Sequence, residues 1–129
     1  MKTVFFLFFF FISLIGFSQR LECETVGSQI GYYDTNGEKK LTAMVYSVNT
    51  IILTNDCMVI LGAVDKHFEI GVQVKHIVTQ NWILEGWESK DQEGRKCVIE
   101  VLYFKNNQQT NIIIDYGNIS WIYKIGGCK

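Results

Sequence analysis

The chain has 129 residues, four cysteines, no proline and a formal net charge of −1, and 48% of its residues are apolar. That length argues for one domain, and a mildly acidic chain without a run of Lys or Arg carries no electrostatic footprint for nucleic acid or an anionic membrane surface. Neither is expected as a partner.

The chain opens on a basic Met1-Lys2-Thr3, and an uncharged, Phe-rich run follows from Val4 to Phe17. Gly16-Phe17-Ser18 puts small residues at the two positions a signal peptidase reads, so residues 1 to 18 read as a secretory signal peptide cut before Gln19. As a membrane anchor the run is short against the ~20 apolar residues that a bilayer crossing needs. Cys23 lies past Leu21-Glu22 and is not placed for lipid attachment. Residues 19 to 129 are therefore expected as a single soluble domain, secreted or periplasmic, with no stable membrane anchor.

Cys23, Cys57, Cys97 and Cys128 all follow that cut. An even count in a small exported domain reads as two disulfides, with three connectivities possible, whereas zinc would call for a close Cys-x-x-Cys pair that the chain lacks. In a strict nine-strand meander, Cys23 and Cys97 fall at one end of the sheet and Cys57 and Cys128 at the other, which sets the expected pairing.

Glu24 to Tyr33 reads as a strand, and Asp34-Thr35-Asn36-Gly37 as a turn whose likeness to a calcium loop fails at the third acidic position and the distal Glu. Lys40 to Thr54 carries two β-favouring runs, Met44-Val45-Tyr46 and Thr50 to Leu53, as one bent strand or two short ones. After Asn55-Asp56, the run Cys57 to Leu61 is almost wholly apolar, as in a strand buried on both faces. Asp65-Lys66 turns the chain into Phe68 to Lys75, whose alternation predicts that Phe68, Ile70, Val72 and Val74 are buried.

Trp82 to Glu88 is the next strand, and Asp91 to Gly94 turns it into Lys96 to Phe104. With Lys90 facing Arg95, Leu84 lies opposite Val101 and Trp82 opposite Tyr103, which sends Ile83 and Trp87 outward. Asn106-Asn107 suits a two-residue turn with positive φ at both positions. That turn pairs Tyr103 with Thr110, Val101 with Ile112, Ile99 with Ile114 and Cys97 with Tyr116. Gly117-Asn118 is a second such turn, setting Ile114 opposite Trp121 and Ile112 opposite Tyr123. Two independent turns select the same apolar face, and a slip of one residue at either would reverse a strand, so the agreement fixes the register.

No segment keeps a helical period over three turns. The expected fold is all-β, an antiparallel meander of eight or nine strands forming a small barrel or a two-layer sandwich.

Candidate sites are few. His67 and His76, with Asp65, could suggest a base or a metal site, but the two imidazoles stand about 30 Å apart along a strand at ~3.3 Å per residue. Glu85 and Glu100 could approach each other on the outward face like a glycosidase pair, although exposed carboxylates on strands usually serve solvation. Asn118-Ile119-Ser120 matches a glycosylation sequon inside a turn. No nucleophile elbow, phosphate loop, metal motif or cofactor motif appears, so no cofactor and no enzymatic activity are expected. The aromatics Trp82, Tyr103, Tyr116, Trp121 and Tyr123 could line a concave pocket for an apolar or glycan ligand, or simply form core. Leu102, Ile113 and Ile122 align on the opposite face as an interaction patch, which the N-terminal strands are expected to cover as a second layer. The expected function is an exported binding module for a small apolar ligand or a glycan. The alternatives are a structural or inhibitory protein-interaction domain using the apolar sheet face, and a small hydrolase.

Overall fold

The computed structural model describes residues 20–129, so the expected signal peptide lies outside the described residues. Within them the chain forms nine strands: β1 (Leu21–Tyr33), β2 (Lys39–Leu41), β3 (Thr50–Leu53), β4 (Cys57–Leu61), β5 (Lys66–Val78), β6 (Trp82–Asp91), β7 (Lys96–Phe104), β8 (Thr110–Asp115) and β9 (Ile119–Cys128). All neighbours are antiparallel, and eight strands in the order β1-β3-β4-β5-β6-β7-β8-β9 close on themselves through a β1–β9 ladder. The meander is a closed barrel. Among the described residues there is no second layer.

The extra strand, β2, is the one that leaves the wall. It pairs only with the far end of β1, at Gly31 to Tyr33, and the chain then follows β1 back through a single bridge between Val45 and Ser28 before β3 takes up Leu21 to Glu24. Met44-Val45-Tyr46 is thus no strand of its own. Because β3 replaces β2 beside β1, every later strand runs opposite to its direction in a nine-stave meander. The first and last staves are then antiparallel and can pair.

This reversal corrects the expected cysteine pairing. Cys23 and Cys128 are cross-strand partners on β1 and β9 and form a disulfide, with Cα atoms 4.0 Å apart. Cys57 and Cys97 are free thiols. A second bridge is not formed, since Cys97 points into the core of the barrel from β7 whereas Cys57 stands on the outer face of β4, with two strands between them.

Alternate residues of each stave fill the barrel. Ile51, Met58, Ile99, Ile112 and Ile114 are the large side chains sealed most completely, each worth about 2–3 kcal/mol of apolar burial. β4 is not buried on both faces: Met58 and Ile60 point inward, Cys57 and Val59 are half-buried, and Leu61 is exposed.

The β7–β8 and β8–β9 registers match expectation: Val101 faces Ile112, Ile99 faces Ile114, and Ile114 faces Trp121. The first connection is longer than expected, because Phe104 N–H bonds to Gln109 O and the positive φ falls on Gln108. That four-residue loop is centred on Asn106-Asn107, so the register survives the change of turn. Gly117 takes φ 96° in the second, where Tyr116 N–H bonds to Ile119 O.

The β6–β7 register is shifted by one residue. Asp91 N–H donates to Arg95 O and Gly94 takes φ 81°, which makes a three-residue loop, so Lys90 faces Lys96 rather than Arg95. Ile83, Glu85 and Trp87 consequently share the inner face with Tyr103, Val101 and Ile99, while Trp82 and Leu84 turn outward.

β5 departs from strict alternation for a different reason. β4 pairs with it only as far as Glu69, and two bulges between Ile70 and Lys75 shift its register against β6. Phe68 is buried and Ile70 packs on the core, but Val72 and Val74 lie exposed within the two bulges at 66% and 46%. Gly71 permits the distortion: a Cβ there would lie 2.9 Å from the Glu88 carbonyl oxygen.

On the outer wall Leu102, Ile113 and Ile122 are half-buried, with Ile113 directly between Glu100 and Ile122. The expected cover is absent because the N-terminal strands are spent on closing the barrel.

Candidate functional site

The packed core does not reach the upper rim. Above Phe68, Ile114 and Trp121 opens a cavity of about 800 Å³, bounded by Val64 to Lys66, the β6–β7 turn, and the β8–β9 turn at Asn118-Ile119. It is a cup of mixed lining, with Phe68, Ile114, Ile119 and Trp121 as its apolar surface and Lys66, Asp91, Glu93 and Arg95 among its charged groups, and its volume is usual for small-ligand sites.

The five expected aromatics separate. Tyr116, Trp121 and Tyr123 converge on the inner face at or just beneath this cup, whereas Tyr103 is buried towards the opposite end and Trp82 stands on the outside beside Phe104. Burial raises the phenol pKa of Tyr103 and Tyr123 above the ordinary range. Phe68, expected only as a core residue, and Lys66, read only as part of a turn, join the upper group.

Polar groups at the rim are organised around Asp91. Its Oδ1 accepts backbone N–H bonds from Glu93 and Arg95, and its Oδ2 accepts from Arg95 Nε and the Tyr116 hydroxyl, all at 2.9 Å. Burial by itself would raise this carboxyl, but the donors together outweigh it and hold Asp91 below its usual range. Tyr116 moves the other way, raised by burial and by the hydrogen bond its hydroxyl donates to Asp91. The Arg95 guanidinium lies 5.3 Å from the Tyr116 ring centre, which locks the β6–β7 turn onto the cup wall.

Lys66 is arranged differently. Its Nζ lies 3.9 Å from the Trp121 ring centre and 3.5 Å from the Tyr123 hydroxyl, and burial lowers its pKa.

The other candidates do not assemble a site. His67 and His76 lie at opposite ends of β5, and among the described residues no three His, Cys, Asp or Glu side chains converge as metal ligands. Glu85 and Glu100 fall on opposite faces after the register shift. Glu85 lies inward, 3.2 Å from His76 Nδ1 and 3.1 Å from the Gln73 amide, while Glu100 lies outward, 2.6 Å from Lys75 Nζ. Asn118 is exposed on the rim. A second concavity of about 670 Å³ beside the β5 bulge is lined by Ile70, Val72, Val98 and Tyr116 together with Glu69, Glu88, Lys90, Lys96 and Asp115, but it lacks the tryptophan and the half-buried lysine of the cup.

No family model, curated protein or solved structure matches this chain.

Proposed function

We propose that this protein is an exported binding module that takes up a small, largely apolar ligand in the upper cup of the barrel. The observation that carries the reading is the cup itself: Phe68, Ile114 and Trp121 give it an apolar surface, and polar groups share its lining. The exported setting is supported by the leader-like residues 1 to 18 and by the Cys23–Cys128 bridge, which persists in oxidising compartments. The reading assigns no catalytic step, since Asp91 commits both oxygens to holding the rim.

Titration with the neutral dye Nile red tests it. Saturable one-to-one binding that Trp121→Ala weakens at least tenfold, with unfolding unchanged in cooperativity, is the expected result. Binding untouched by Trp121→Ala but abolished by Ile113→Asp would move the site to the outer wall and favour the protein-interaction alternative, whose support is the half-buried patch of Leu102, Ile113 and Ile122.

A further inference from the structure

We infer that the ligand carries a carboxylate at one end of its apolar body, and that Lys66 and Tyr123 receive it within the cup. The inference rests on the cup being a ligand site, and it adds the sign and position of the ligand's charge.

Begin with the cations. Arg20, Lys40, Lys75 and Arg95 each hold a carboxylate in an ion pair. Lys66 is half-buried against an indole, and no carboxylate of the described residues pairs with it. The acidic groups of the cup lining have partners other than Lys66: Asp65 accepts from Gly62 N–H, Asp91 accepts from Arg95 and Tyr116, and Glu93 pairs with Arg95. A partly desolvated ammonium is costly unless a counter-charge satisfies it, and contact with an aromatic face offsets only part of that cost.

The geometry around the ammonium suits an incoming oxyanion. Lys66 donates to the Tyr123 hydroxyl oxygen, which leaves the phenol proton able to turn toward the same acceptor. Tyr123 is 4% exposed and lies outside the cup lining, but its hydroxyl is 3.5 Å from the ammonium of Lys66, which does line the cup. Tyr116 cannot take this role because its proton is already given to Asp91. A carboxylate seated on Lys66 and Tyr123 leaves the tail of the ligand against Trp121, Ile114 and Phe68, so the ligand is an amphiphile.

Displacement of Nile red by decanoate, decanol and decylamine tests the inference on the oxidised protein. Decanoate is expected to compete roughly tenfold or more better than decanol, the scale of a hydrogen bond to a charged group. Lys66→Met keeps the apolar stem and removes the charge, so decanoate and decanol should compete within about twofold, with decanol unchanged; Lys66→Arg should retain the preference. Equal competition by decanoate and decanol in the parent protein, preference for decylamine, or a carboxylate preference that survives Lys66→Met would each overturn the inference while leaving the cup as an apolar site. Failure of all three to displace the dye would overturn the cup reading instead.

Discussion

Ile112 and Ile113 are neighbours in sequence and face opposite sides of the wall, so a matched pair of substitutions to Asp measures how strictly the register separates inside from outside. Ile112 is 1% exposed and lies between Val101 and Tyr123. An Asp there must stay protonated, which at pH 7 costs about 4 kcal/mol from an ordinary carboxyl pKa near 3.9. Loss of the isoleucine packing adds about 2–3 kcal/mol, for a sum near 6–7 kcal/mol, comparable with the whole stability of a domain this size. Ile113→Asp leaves its carboxylate hydrated, loses only part of one side chain's burial, and meets Glu100 across the strand, where Lys75 already supplies a positive charge. Its cost should be about 1–2 kcal/mol. With a urea slope of about 1–3 kcal/mol per molar, the midpoint should fall by over about 2 M for Ile112→Asp, or folding should fail, and by roughly a third of that shift or less for Ile113→Asp. Equal destabilisation by the two, or a larger effect at Ile113, would refute the barrel register and restore a covering layer on the outer face.

Replacing both Cys23 and Cys128 by Ala should lower stability by up to about 4.7 kcal/mol in the chain-entropy model, because the bridge spans a separation of 105 residues; denaturation curves with and without reductant check this, and a loss under about 1 kcal/mol would show that the β1–β9 ladder holds the seam alone. Burial pushes the Cys97 thiol up to about 11, so maleimide at pH 7 should modify Cys57 well before Cys97, as peptide mapping of the folded protein would show. The folded-state carboxyl of Asp91 lies below its unfolded value, so its contribution to stability is present above the ordinary carboxyl range and is lost as pH falls through the depressed pKa. Tyr116→Phe removes one of its donors and should move that loss to higher pH, which acid titration followed by tryptophan fluorescence would detect.

Several of these features were legible in the residues and others were not. The Gly117-Asn118 turn needs one positive φ, which glycine supplies, so its register could be read directly. Asn106-Asn107 gave the right register through the wrong turn, since any loop centred there pairs the same residues. The β6–β7 slip had a visible precedent: Asp34-Thr35-Asn36-Gly37 forms the same three-residue loop as Asp91-Gln92-Glu93-Gly94, with the Asp Oδ1 accepting from two backbone N–H groups in both. Periodicity could not reveal the β5 bulges, because they depend on how far β4 reaches and on the Glu88 backbone across from Gly71. Lys66 read as a turn residue for a related reason. Only the curvature of the closed sheet carries it over Trp121. The disulfide was missed because one short strand beside β1 reversed the direction of all that follow, a non-local consequence of three residues.

The Cys23–Cys128 bridge also decides how the molecule bears force. A pull applied to chain outside these two residues passes straight across the seam through a covalent bond, so the strands between them carry no load. Only the short pairing of Leu21 and Glu22 with β3, and of Lys129 N–H with Glu22 O, lies in its path. While oxidised, the barrel and its cup are mechanically isolated from whatever is joined to either end. Reduction transfers the whole load to the β1–β9 ladder.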